Sequence, residues 1–129
     1  MDILQAESMT IRSPRGKNVH FRVGQVIRHK LGNYNGVIIG WDAEAKAPQS
    51  WLYKHYPRED VSFYSSHPHY LILVDERDRI KTRMYERQPF LVAMKNTKIV
   101  HKSIDAYFDG FDGAQYIPKE SLRNLYPDD

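Results

Sequence analysis

The run Phe21–Asp42, FRVGQVIRHKLGNYNGVIIGWD, constrains this chain most. Two apolar β-type stretches, Phe21–His29 and Val37–Trp41, flank Asn33-Tyr34-Asn35-Gly36. Asn and Gly accept the positive φ that tight turns demand, so the pattern predicts an antiparallel hairpin. Its first strand is expected over roughly Arg22–His29, with a bend or bulge at Gly24-Gln25, and its second over Asn35–Asp42. The run holds no nucleophile–base pair, no phosphate-binding loop and no metal-ligand spacing.

Further β signals follow. His69–Asp75 (HYLILVD) is apolar throughout, as a strand buried on both faces or lying centrally in a sheet would be. Ser50–Tyr56 reads as a helical turn that groups Trp51, Lys54 and His55 on one side. Ala43–Pro48 reads as a turn or short helix, and Pro57–Pro68 as loop. Pro89 interrupts Thr82–Ala93, so no single regular element is expected there. Lys98–His101 and Tyr116-Ile117-Pro118 are short strand candidates, and Lys119–Asn124 a helical turn that places Leu122 and Leu125 inward. Short strands with turn signals favour a small antiparallel β-barrel, whose closure hides strand edges. The fold class is therefore mainly β.

At 129 residues the chain is expected to form one domain. It has no Cys, which excludes disulfides, thiolate catalysis and Cys-based zinc sites. No stretch reaches the roughly 18 apolar residues of a membrane span. Residues 1–20 lack a secretory apolar core and are expected to be a flexible N-terminal segment. Charge is unevenly distributed. Residues 77–102 carry eight Lys/Arg against Asp78 and Glu86, whereas residues 103–129 carry six acids against Lys119 and Arg123. Such blocks read as solvated faces, or as a basic surface for phosphates or an acidic partner.

Four blocks carry a resemblance. They are Val23-Gly24-Gln25-Val26-Ile27-Arg28-His29-Lys30, Tyr34-Asn35-Gly36-Val37-Ile38-Ile39-Gly40-Trp41-Asp42, His69-Tyr70-Leu71-Ile72-Leu73-Val74-Asp75, and Tyr116-Ile117-Pro118-Lys119-Glu120-Ser121-Leu122. Together they resemble the YccV-like, or HspQ, hemimethylated-DNA-binding domain family over about residues 21–125, with 126–129 as a tail. The family's bacterial members run almost directly from the third block to the fourth. Here residues of about 76–115 intervene, a layout similar to the YccV-like part of the eukaryotic polymerase-delta-interacting protein. The resemblance implies an SH3-like antiparallel β-barrel with a long insertion before its last strand. It implies two kinds of function, neither enzymatic. One is recognition of proteins, as an adaptor for ATP-dependent proteases or, within an F-box protein, in a ubiquitin-ligase context. The other is binding of double-stranded DNA with a preference for hemimethylated sites. An intracellular location is implied as well: cytoplasmic or nuclear, or mitochondrial for an excised domain. No cofactor is expected.

The candidate residues fall into two groups. Trp51, Tyr53, Tyr56 and Tyr64 belong to an aromatic-rich quarter, and aromatics beside polar groups are typical anchors of protein interfaces. Such rings also stack nucleobases. Arg28, Lys30, Arg77, Arg79, Lys81 and Arg83 are the candidates for nucleic-acid or acidic-partner contacts, expected to converge on one surface if DNA is bound. His67, His69 and His55 do not supply the closed ligand set of a metal site. Ser62, Ser65 and Ser66 near His67 lack a nucleophile elbow and an oxyanion hole.

Overall fold

A computed structural model describes residues 11–80, 83–127 and 129. Strand β1 covers Val26–His29 and β2 Asn35–Asp42. Helix α1 (Gln49–His55) and helix α2 (Val61–Ser65) come next, joined through a 3-10 turn at Arg58–Asp60. Strand β3 (His69–Val74) leads to β4 (Arg83–Arg87), and a 3-10 turn at Gln88–Phe90 passes the chain to β5 (Leu91–Ala93). Helix α3 (Ile104–Tyr107), β6 (Phe108–Phe111), β7 (Tyr116–Pro118) and α4 (Glu120–Leu125) complete the order.

The strands form an antiparallel sheet of order β4-β3-β2-β1-β5 and a two-stranded ribbon β6-β7. Antiparallel pairing lays β1 to β4 side by side, with α1 and α2 in the connection between β2 and β3, and the turn holding Pro89 then carries β5 back to the open edge of β1. This strand order is compatible with a small barrel-like fold, although no ladder joins β4 to β5 among the described residues. All six residues of β3 are buried, as the apolar run requires, because β2 and β4 flank it. The core runs from Val26, Ile27, Val37 and Ile38 through Leu71–Val74 to Phe108, Tyr116 and Leu122. Leu52, Tyr56 and Val61 form a smaller cluster under α1 and α2.

Several local expectations differ from the fold. The tight turn lies at Lys30–Asn33, where Asn33 adopts φ 53°, so it overlaps the expected Asn33-Tyr34-Asn35-Gly36 only at its first residue, and Asn35 and Gly36 already belong to β2. Gly36 sits inside β2 for lack of space: a Cβ there would stand 2.4 Å from Ile72 Cγ2 and 2.9 Å from the Leu73 carbonyl. β1 starts only at Val26, because Gly24 turns the chain with φ +95° and donates to the Ile38 carbonyl. Pro57–Pro68 is mostly helical, with Ser65 and Ser66 bonding back to the Ser62 and Phe63 carbonyls. Lys98–His101 forms no strand; Val100 instead spends its N–H on the Asp75 carboxylate and its carbonyl on the Glu76 N–H.

Arg12 and Asp129, near the two limits of the described residues, both contact residues of β2. Arg12 donates its N–H to the Leu125 carbonyl and lies 3.6 Å from Asp42. Asp129 accepts the Trp41 indole N–H at 2.9 Å and the Val23 N–H at 2.6 Å, beside the Arg15 guanidinium. Of the expected flexible segment, residues 1–10 lie outside the described residues.

Candidate functional site

Two surfaces emerge, and each draws on residues far apart in sequence. The first is a groove of about 200 Å³ between α1 and β4, lined by Trp51, His55, Tyr56 and all of Arg83–Arg87. The i, i+4 spacing on α1 stacks the Trp51 and His55 rings with centroids 4.0 Å apart, and Tyr85 meets Trp51 edge-on. β4 is an edge strand, laddered to β3 on one side and paired with no strand on the other among the described residues.

Beneath the groove lies a polar cluster. The Arg87 guanidinium is packed against three rings, 4.5 Å from Tyr56, 4.3 Å from Tyr64 and 3.9 Å from Phe90. Stacked cations of this kind are favourable where water is excluded. Glu86 joins Arg87 at 3.4 Å and His29 at 2.8 Å. Gly32 N–H donates to His29 Nδ1, so the ring proton sits on Nε2 and points to Glu86. His69 is buried, and burial lowers its pKa to about 4. Neutral His69 donates through Nδ1 to the His67 carbonyl and accepts the Tyr56 hydroxyl at Nε2, 2.6 Å away. Burial pushes the Tyr56 phenol up to about 12, so the donor keeps its proton.

The sequence candidates distribute themselves over this geometry. Trp51 is half-buried on the groove wall, Tyr53 is exposed under Arg58, and Tyr64 is half-buried against Arg87. Tyr56 is buried and supports the wall from behind. Glu86, Arg87 and His55 were not among the sequence candidates. The signal for the first two was their position in an alternating strand next to Pro89.

The second surface is the β1–β2 turn end of the sheet. Arg28 bonds the side chains of Asn33 and Asn35, and Arg79 donates to the Gly32 carbonyl and stands over the Tyr34 ring. Asn35 N–H donates to Asp78, which ties that turn to the one after β3. Arg77 forms a two-pronged pair with Asp75, whose carboxyl also accepts the Arg77 and Val100 N–H groups. Those donors hold the Asp75 pKa down at about 2. Arg83 opens β4 opposite Leu73, at the same end. Arg28, Lys30, Arg77, Arg79 and Arg83 thus share one end of the sheet; Lys81 lies outside the described residues.

Residues 19–115, three-quarters of the chain, match the family described as "Hemimethylated DNA-binding protein YccV like". The chain belongs to the YccV-like family. The match takes in the whole five-stranded sheet and both surfaces, while the fourth sequence block, on β7 and α4, lies just beyond it. Among curated proteins, this YccV-like chain is similar to F-box only protein 21 of Mus musculus, with 27% identity over 113 residues. The same protein of Pongo abelii and of Homo sapiens is 26% identical over the same length. Each alignment covers 88% of this chain but only 17–18% of the relative, so the chain spans less than a fifth of their length. Among the described residues no helix is long and apolar enough to cross a membrane.

Proposed function

We propose that this YccV-like chain is a non-enzymatic protein-interaction module, an adaptor or substrate-recognition domain, that receives an extended segment of a partner protein along β4. One observation carries the reading. The aromatic segment and the basic segment singled out in the sequence meet across a single groove, α1 on one side and β4 on the other, and β4 pairs with no strand on its outer edge among the described residues. A strand edge supplies main-chain hydrogen bonds, and the Trp51–His55 stack supplies an aromatic pocket for alternate side chains. The exposed Arg83 at the start of β4 suits a polar rim. The F-box relatives support a ubiquitin-ligase setting for the partner; a protease or its substrate is the other setting in which the family is expected. The test is affinity capture of partners with the wild-type chain, Trp51→Ala and Arg83→Glu. Loss of the same partners from both variants is expected. Retention of every partner by both variants rejects the groove as the docking surface.

A second reading, binding of duplex DNA with preference for hemimethylated sites, is favoured by the family description and by the shared location of Arg28, Lys30, Arg77, Arg79 and Arg83. Electrophoretic shifts of methylated, hemimethylated and unmethylated duplexes at two salt concentrations test it. Absence of any shift at low salt ends it.

A further inference from the structure

The turn end of the sheet also carries exposed apolar side chains. Leu31 is 72% exposed, Ile80 100% and Val100 46%. Leu31 sits in the tight turn after β1, where Gly, Asn, Asp and Ser are the residues that local structure favours. Ile80 follows the turn after β3, and Val100 lies in the segment between β5 and α3. Hydrogen bonds gather the three segments. Arg79 donates to the Gly32 carbonyl, which sets Ile80 and Leu31 each one residue from a shared contact. Glu76 N–H donates to the Val100 carbonyl at 2.8 Å, and Val100 N–H donates to Asp75 at 3.1 Å. Lone exposed apolar residues are ordinary, but several grouped at one end mark a contact surface.

We propose that this end of the sheet rests on an anionic lipid bilayer, with Leu31, Ile80 and Val100 entering the interface and the neighbouring cations facing the headgroups. Lys30 precedes Leu31, Arg79 precedes Ile80 and Lys102 follows Val100 by two residues, and all three cations are exposed. The nearby acids are largely spent. Asp75 is buried and paired with Arg77, and Asp78 accepts the Asn35 N–H, which leaves Glu76 exposed. Apolar side chains flanked by Lys and Arg suit the boundary of a negatively charged leaflet, since insertion and surface charge act together. The surface potential acts on charge at a distance, so Arg77 and Arg79 keep their hydrogen bonds while they are attracted. A peptide is a poorer match: it is gripped by a groove or a strand edge, and none of the three apolar residues lines the α1–β4 groove. A nucleic-acid backbone would use the cations and leave the apolar side chains in water.

The experiment is co-sedimentation of the full chain with vesicles of phosphatidylcholine alone and of phosphatidylcholine mixed equally with phosphatidylserine. Binding to the mixed vesicles is expected, and it should weaken as salt rises. Leu31→Ser and Ile80→Ser change exposed side chains, so both are expected to match the wild type in thermal melts. Each should lower the partition coefficient about tenfold, the scale of one buried aliphatic side chain. Lys30→Gln should lower it about fivefold, the scale of one charge at the leaflet. Trp51→Ala should bind vesicles as the wild type does, so this test and the capture test fail independently. Absence of binding to the mixed vesicles overturns the proposal, as does equal binding to both kinds. Weakened binding in Lys30→Gln with none in either serine variant also overturns it, and assigns this end to polyanions such as a duplex.

Discussion

Replacing Asp75 by Asn should expose how much of the basic end of the sheet is held by one buried charge. The Asp75 side chain is 1% exposed, yet it accepts from the Arg77 backbone, the Arg77 guanidinium and the Val100 backbone. These donors favour the ionised form, so its pKa falls from 3.8 to about 2. At about 1.4 kcal/mol per pKa unit, the ionised form is favoured by roughly 2.5 kcal/mol. Arg77 is 64% exposed, and solvent screening reduces the figure to about 1–2 kcal/mol. A carboxylate with a depressed folded pKa contributes fully above its unfolded pKa of 3.8, and the contribution disappears as pH falls through about 2. Urea unfolding of the wild type and Asp75→Asn, followed by circular dichroism, measures it. At neutral pH the variant should be less stable by at least about 1–2 kcal/mol, and the gap should shrink by that amount near pH 2. The remaining carboxylates are common to both proteins and cancel if distant sites add. A gap of equal size at both pH values refutes the argument, because the loss would then be one of packing and not of charge.

Among glycines, Gly24→Ala should be the most damaging, since φ +95° and a 2.2 Å approach to the Tyr116 carbonyl both oppose a Cβ. Gly36→Ala should cost about 1–3 kcal/mol by overpacking, and Gly110→Ala, with open space around it, under about 0.5 kcal/mol in thermal melts. Because burial lowers the His69 pKa from 6.5 to about 4, stability from this group is complete above 6.5 and declines as pH drops toward 4; Tyr56→Phe, read by denaturant unfolding, should cost about 1–2 kcal/mol by leaving Nε2 unpartnered. Asp129→Ala should free the Trp41 indole N–H and the Val23 N–H, and speed hydrogen exchange at that indole. If a duplex is bound, the salt dependence of its affinity should correspond to two or three phosphates, at a slope of about 0.9 each, measured by titration at several salt concentrations.

The strands were legible where one physical cause dominated. β2 and β3 fall on the segments that apolar density marks, and Pro89 splits β4 from β5 because it cannot sit inside a central ladder. The hairpin turn was misplaced because Gly36 carries two meanings. Sequence reads a glycine next to Asn as turn chemistry, whereas the constraint here is the approach of β3, visible only once Ile72 stands opposite. Helix α2 was missed because a five-residue helix has no periodicity long enough to register. The groove was half legible: Trp51 and Tyr56 stood out by composition. Arg87 did not, because nothing local says that Tyr56, Tyr64 and Phe90 surround it.

The six basic candidates illustrate the difference between charge and availability. Arg77 spends its fork on Asp75, Arg28 is bonded to Asn33 and Asn35, and Arg79 is bonded to the Gly32 carbonyl. Of these three, Arg79 clamps the turn after β3 to the turn after β1, while Arg77 braces its own turn and Arg28 the turn after β1. A phosphate backbone would have to compete with these contacts, and each clamp released would loosen a turn. The groove makes no such demand: among the described residues its strand edge pairs with no other strand, and its aromatic wall is already packed. A basic run in sequence is therefore weaker support for a polyanion partner than its count of lysines and arginines suggests. This difference in cost is the physical support for the proposed docking of a protein segment on β4.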